Sequence, residues 1–265
     1  PLWPPAMHLM GKDIIWFHAV IWPCMLMALF DKSDVRVQMG FPNAARAEDL
    51  LPRTIYAHGW WISEGKKMSK SLGNFIDLEQ LQAYAARYGL DALRWYLATQ
   101  GPLASADADF AHAKFIEVYN AELANGIGNC ASRVANMMEK YCGGTVPSSN
   151  SVVSRYTTET QPPDTWPSTV AVLWKNVLKH GESGDLNMLM QMSGVATALV
   201  RFVDGYINEH RPFSMAKLPP NDAWASDPRL ANRQALDVVL YQCGEALRIA
   251  SLGMYPAMPS KMAEL

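Results

Sequence analysis

The apolar positions of this chain keep a helical period early, give way to a strand-like run, and return to helical spacing for the second half. Ile14, Phe17, His18, Ile21, Trp22 and Met25 recur three and four residues apart, so one face is continuous, and Ile14, His18 and Trp22 stack on one wall. The helix follows a short apolar stretch from His8 and a turn at Gly11-Lys12-Asp13, with Asp13 in the place of a helix-capping acid. Pro23 removes the hydrogen bond to Ala19 and predicts a kink. The longest apolar run, Ala19 to Phe30, has 12 residues, too few to span a bilayer and suited to a buried helix.

Residues 31–52 are polar and rich in turn formers, a surface insertion without an assignable role. Thr54 to Ile62 has the β-branched and aromatic content of a buried strand. Asp77 with Gln80 three residues on is a capping box, Gly89 stops that helix, and Asp91 to Leu97 begins the next. From Asp107 onward the pattern is helical with no expected strand: a long helix over 109–141 ended by Gly143-Gly144, then helices at about 168–180, 185–210 and 228–252. Pro212 and Pro256 punctuate the ends, and Thr145 to Ser168 is a Ser/Thr/Pro-rich loop. The predicted architecture is an α/β part over 1–106 followed by an all-α antiparallel bundle over 107–265.

Composition narrows the function classes. A net charge of -2 means that any nucleic-acid contact comes from local patches, not from a general basic field. Cys24, Cys130, Cys142 and Cys243 form no CxxC pair and no zinc spacing with histidine, which predicts free thiols in a reducing, cytoplasmic setting and no metal cage. No membrane segment is expected. Pro1-Leu2-Trp3-Pro4-Pro5 lacks the charged start of a signal peptide and reads as a cut within a longer polypeptide.

The run with most chemical content is Gly65-Lys66-Lys67-Met68-Ser69-Lys70-Ser71-Leu72-Gly73-Asn74. Glycines near both ends let the segment swing, and compact ammonium groups on flexible stems suit the phosphates of a nucleotide. A solvated lysine-rich turn is the plainer alternative. Lys67-Met68-Ser69-Lys70-Ser71 resembles, at all five positions, the KMSKS signature of class I aminoacyl-tRNA synthetases. Gly11-Lys12-Asp13-Ile14, Phe17-His18 and Trp22-Pro23 resemble the stretch that methionyl-tRNA synthetases carry between their two signature motifs, where valyl-, leucyl- and isoleucyl-tRNA synthetases differ. Gly89-Leu90-Asp91-Ala92-Leu93-Arg94 resembles class I synthetases broadly.

In the bundle, Asn125, Asn129 and Arg133 share one helical face, which periodicity alone reads as a solvated polar stripe. Gly126 and Gly128 cost that helix up to about 1 kcal/mol each relative to alanine, a sign that something approaches closely. The stretch Asn120 to Arg133 resembles the anticodon-reading helix of methionyl-tRNA synthetases, and Asn208 to Phe213 resembles its second half. That family typically has tryptophan after Pro212 as a stacking platform, and here Phe213 departs from it.

The resemblance implies a second half of a Rossmann-like catalytic domain and an anticodon-binding domain, acting on methionine, ATP with Mg²⁺, and tRNA(Met). It implies that Lys67 and Lys70 stabilise the pyrophosphate leaving group, that Gly11, Asp13, His58, Trp61 and Ser69 meet the nucleotide, and that Ile14 and His18 line the methionine pocket. It further implies that Asn129, Arg133, Pro212 and Phe213 contact the anticodon. Read from residues alone, Asp13 is an N-cap rather than a ligand contact, and His58 equally a satisfied core histidine. The family's other nucleotide motif, His-Ile-Gly-His, is missing among His8, His18, His58, His112, His180 and His210, as is its zinc-bearing segment. The chain alone is therefore expected to be catalytically incomplete. Another class I synthetase, or a non-catalytic tRNA-binding half-protein, remains the alternative.

Overall fold

The computed structural model describes residues 3–147, 188–217 and 233–265, with isolated helical positions at 171, 174–175 and 178–179. The expected loop up to Ser168 falls mostly outside these residues, as do most of the expected helix at 168–180 and the start of the last one. The chain divides into two compact units, Pro1–Ile76 with Gln100–Ala111 and Gly181–Asn187, and Asp77–Thr99 with His112–His180 and Met188–Leu265.

The first unit begins with β1 (Met7–Gly11), paired in parallel with β2 (Thr54–His58) so that Gly11 lies opposite His58. Between them come a 3₁₀ turn (Lys12–Ile14), a π-helical turn (Phe17–Ile21), α1 (Trp22–Leu29) and α2 (Ser33–Gln38). Asp13 is not the cap. Gly11 occupies that position and no side chain caps the turn, because β1 runs directly into it. Pro23 sits in the first turn of α1, and the turn before it widens to π geometry, which accommodates the missing N–H without a break.

The burial expected of this helix is not observed. Leu26 and Phe30 pack with Leu50, but Trp16 is 63%, Phe17 57% and Met25 58% exposed. An apolar helix is buried only where the chain supplies a covering layer, and here a small cluster of Leu26, Phe30 and Leu50, with Trp3, Phe41 and Leu51 packed against it, covers one side of α1.

The insertion at 31–52 is ordered in good part by Arg36. Arg36, 8% exposed, donates to the carbonyls of Phe30, Asp31, Ala44 and Ala45, at 2.5, 2.9, 3.1 and 3.0 Å. Four main-chain acceptors satisfy a buried guanidinium without a carboxylate. After β2 follow β3 (Trp61–Ser63) and β4 (Lys66–Lys67), an antiparallel hairpin.

In the second unit, α3 (Leu78–Tyr88) starts with the predicted capping box, Gln80 N–H donating to Asp77 Oδ1 at 2.9 Å and Asp77 N–H to Gln80 Oε1 at 3.2 Å. Gly89 ends it at φ 91° and α4 (Leu90–Gln100) follows. The chain then returns to the first unit, where β5 (Ala108–Asp109) pairs in parallel with β3, a strand where helix was expected. The expected helix from 109 therefore begins later, as α5 (His112–Val118), passes through a π-helical stretch (Tyr119–Gly128) that kinks at Gly126 (φ -81°, ψ -109°) and continues as α6 (Asn129–Cys142), which ends at Gly143 in the left-handed region.

α7 (Met188–His210), the short α8 (Pro212–Met215), α9 (Arg233–Met254) and α10 (Pro259–Ala263) complete the unit. α7 and α9 pack along their lengths through Val203, Ile207, Leu240, Cys243, Ala246 and Ala250, all buried. The coarse expectation holds: a mixed α/β part and a mostly helical remainder.

The π-helical segment explains Gly126 and Gly128 from within. A Cβ on Gly128 would lie 2.9 Å from Leu123 O and one on Gly126 3.1 Å from Ala121 O. The close approach in the structure is that of the helix's own carbonyls, five residues back.

Candidate functional site

Two groups of sequence-derived residues occur, one in each unit. In the first unit the parallel pairing sets Gly11 beside His58 at the C-terminal ends of β1 and β2, the end where open α/β sheets take ligands. Gly59 is obligatory, whereas at Gly11 the movable end of the Asp13 side chain is what stands nearest. A Cβ on Gly11 would meet Asp13 Oδ1 at 2.8 Å, and one on Gly59 would lie 2.0 Å from Ala106 O.

The strap that crowds Gly59 was missed by sequence reasoning. Gly59 N–H donates to Ala104 O at 2.7 Å, Lys12 Nζ to Ser105 O at 3.1 Å, and the Tyr56 hydroxyl to Leu103 O. Asp107 anchors it, pairing with Lys12 Nζ at 2.8 Å and accepting the Trp60 N–H at 2.8 Å, and these two contacts hold its carboxyl below the usual range. Its signal was faint: Asp107 lies in an Ala/Asp-rich stretch, 47 residues from its partner Trp60.

His58 is half-buried, and its Nδ1 donates to Gly59 O at 2.7 Å. Trp61 lies edge-on to Phe110, ring centroids 5.8 Å apart. Asp13 is exposed and curls over Gly11. His18 Nδ1 donates to Ile14 O at 3.1 Å, which keeps those two residues together. His18 also meets His8 of β1 edge-on at 5.7 Å, and Trp3 lies 6.4 Å from both His8 and Trp22. His8 and Trp3 escaped sequence reasoning because no spacing links a strand to a helix across a turn. Burial and the neighbouring His18 hold His8 below the ordinary histidine range, and its Nδ1 is buried without a hydrogen-bond partner.

The lysine loop is a closed structure. β3 and β4 make its stem, Glu64 (φ 49°) and Gly65 (φ 73°) turn it, and Gly65 N–H donates to Asp109 Oδ2 at 3.0 Å. Asn74 staples the far side, accepting the Ser69 N–H at 2.9 Å and donating to Lys67 O at 3.1 Å. Ser69 and Ser71 share a hydroxyl contact of 2.7 Å, and Gly73 (φ 66°) reverses the chain. Lys67 and Lys70 are exposed, with Lys70 Nζ 6.0 Å from the Phe75 ring. Two cations are thus presented to solvent on a defined frame, and the loop is far from an unstructured turn.

In the second unit, Asn129 and Arg133 lie one turn apart on α6. Arg133 donates to Asp204 Oδ1 at 2.7 Å and to Asn208 Oδ1 at 3.3 Å, which ties the two halves of the second residue group together: Asn208 is four residues before Pro212. Arg211 at φ 47° turns the chain, Pro212 is buried at the start of α8, and Phe213 is 43% exposed. Beneath this face, burial pushes the Cys130 and Cys243 thiols up to about 12, so both stay protonated and inert. Asp91 and Arg94 of α4 secure the C-terminal segment: Asp91 accepts the Lys261 N–H at 2.6 Å, and Arg94 donates to Ala257 O and Pro256 O, both at 2.9 Å. Among the described residues no group of three or more His, Cys, Asp or Glu is placed to hold a metal, and no helix is long and apolar enough to cross a membrane.

Residues 3–135 match the family described as tRNA synthetases class I (M). The methionine–tRNA ligase of Caldanaerobacter subterraneus is 34% identical over 97% of this chain, and that of Bacillus subtilis 33% over 99%. This chain spans 34% of the length of each. The methionyl-tRNA synthetase of Mycobacterium tuberculosis, solved with methionyl-adenylate, superposes with a TM-score of 0.72 at 28% identity, covering 99% of this chain and 44% of that one. The profile match, running from Trp3 through the lysine loop to α6, shows that the chain belongs to the class I (M) tRNA synthetase family.

Proposed function

We propose that the protein containing this chain joins methionine to ATP, releasing pyrophosphate, and transfers the activated acyl group to tRNA(Met). The observation that carries this reading is the framed lysine loop at the end of a β3–β4 hairpin, in a chain whose relatives are named methionine–tRNA ligases. The first unit is then the second half of a Rossmann-like catalytic domain, and the helical unit an anticodon-binding bundle. Because the chain spans 34% of its relatives' length, the overall activity belongs to the longer polypeptide.

In this reading Lys67 and Lys70 supply positive charge where the pyrophosphate develops negative charge, and the staple through Asn74 fixes where they start. Gly11, flat against its surroundings, lets the nucleotide ribose approach the end of β1, with Asp13 as hydrogen-bond acceptor beside it. His58, Trp61 and Ser69 contribute to the nucleotide site, and Ile14 with His18 to the methionine pocket. His18 Nδ1 is already committed to Ile14 O, which orients the ring and leaves Nε2 for substrate. Mg²⁺ enters as the partner of ATP, whose phosphates supply the hard oxygen ligands it prefers. Asn129, Arg133, Pro212 and Phe213 form the anticodon face.

The test is amino-acid-dependent exchange of pyrophosphate into ATP by the full-length polypeptide. Methionine supports exchange and valine, leucine and isoleucine do not; Lys70→Ala lowers it about 100- to 1000-fold, the usual effect of removing one preorganised charge, with tRNA affinity retained. Equal losses of exchange and tRNA affinity in Lys70→Ala defeat the assigned role.

A further inference from the structure

The anticodon face proposed above contains a carboxylate, Asp204, to which that reading gives no role. Asp204 and Asn208 stand one turn apart on α7, and their oxygens accept from the two terminal nitrogens of Arg133, at 2.7 and 3.3 Å. The ion pair is neither buried nor freely solvated: the Arg133 side chain is 35% exposed and that of Asp204 30%.

A guanidinium carries five N–H donors in one plane, so a grip on two of them sets the plane in which the other three point. An arginine held this way before binding avoids much of the rotamer cost it would otherwise meet on ordering. The pairing also changes what Arg133 attracts. A lone cation draws any phosphate regardless of sequence, whereas base edges carry the sequence information. Paired with Asp204, Arg133 belongs to a neutral couple, and a nearby phosphate meets a carboxylate as well as the guanidinium. A ligand gains only by offering acceptors in the plane of the remaining donors.

We propose that Asp204, with Asn208, is a positioning and specificity-determining residue that turns Arg133 from a phosphate binder into a reader of an unpaired RNA base. This rests on the anticodon reading of the helical unit. In this role Asp204 gives up some electrostatic affinity in return for sequence preference.

The experiment compares the chain as wild type, Asp204→Asn and Asp204→Ala. Each is titrated with anticodon stem-loops carrying CAU and with three loops each altered at one anticodon base, across a range of salt. In Asp204→Ala the preference for CAU over one altered loop falls about tenfold, and the log–log salt slope steepens by about one, as for a newly freed phosphate-binding cation. Asp204→Asn retains an oxygen acceptor and keeps most of the preference. In ¹⁵N side-chain spectra of the free chain, the Arg133 Nε–H is ordered in wild type and Asp204→Asn and averaged in Asp204→Ala. An undiminished CAU preference in folded Asp204→Ala overturns the proposal, as does a loss of preference that merely follows a loss of thermal stability across both variants. Should Asp204→Ala not fold, Asp204→Asn decides through the salt slope, which steepens if Asp204 offsets the charge of Arg133 and is unchanged if it does not. Wild type binding all four loops alike refutes the anticodon reading together with this role, whereas discrimination kept by wild type and Asp204→Ala refutes the role alone.

Discussion

Phe213 offers a phenyl ring at 43% exposure beside a buried proline, a flat apolar surface fixed from behind. Stacking an unpaired base on an aromatic ring is worth about 1–3 kcal/mol and needs only a π face. Phe213→Ala is therefore expected to weaken stem-loop binding by that amount and Phe213→Trp to strengthen it, both read by titration. His8 has a different consequence. Its pKa is lowered by burial and by His18, so the folded chain binds fewer protons than the unfolded one and acid favours unfolding. Stability is expected to fall as pH drops through 6.5, the ordinary histidine value, toward the lower folded value. His8→Gln should flatten that slope in denaturant titrations between about pH 5 and 7, a window that brackets the unperturbed histidine value of about 6.5 and extends below it. Single residues were legible in the sequence where their chemistry is local, as at Asp77, Gly89 and the lysine loop. Asp107 and His8 were not, because their partners Lys12, Trp60 and His18 are brought in by the fold.

At the scale of elements, the helix through Gly126 and Gly128 shows how propensity misleads. Helix propensity predicts that alanine stabilises either position by up to about 1 kcal/mol. The π geometry reverses this at Gly128, where a Cβ would press on Leu123 O at 2.9 Å, while Gly194 in α7 has nothing within 4 Å. Gly194→Ala is thus expected to raise the melting temperature and Gly128→Ala to lower it; a rise in both would contradict the described backbone. The period of the apolar positions found α3, α4, α6 and α7 but could not distinguish α from π winding, which share a face over one or two turns. The two-residue strand β5 escaped for a related reason. Ala108-Asp109 has no strand composition, and its pairing with β3 comes from Trp60 O accepting the Ala108 N–H at 2.9 Å and Ile62 O the Phe110 N–H at 2.8 Å.

At the scale of the whole molecule, the first unit carries a two-stranded parallel sheet and an apolar helix with Trp16, Phe17 and Met25 exposed. Parallel sheets are ordinarily covered on both faces, and the Mycobacterium tuberculosis synthetase that this chain superposes on is more than twice its length. The helical unit, by contrast, closes its own core around Trp95, Phe115, Ile207 and Leu240. It also holds the residues whose proposed role requires no chemistry, so the reading can be tested on this chain without the catalytic half. The direct measurement is the affinity of the chain, its helical fold verified by circular dichroism, for two anticodon stem-loops, one with CAU and one with the first C changed. The account predicts a preference for CAU of about 1–3 kcal/mol, the size of one base contact. Equal affinity of the folded chain for both loops would contradict it.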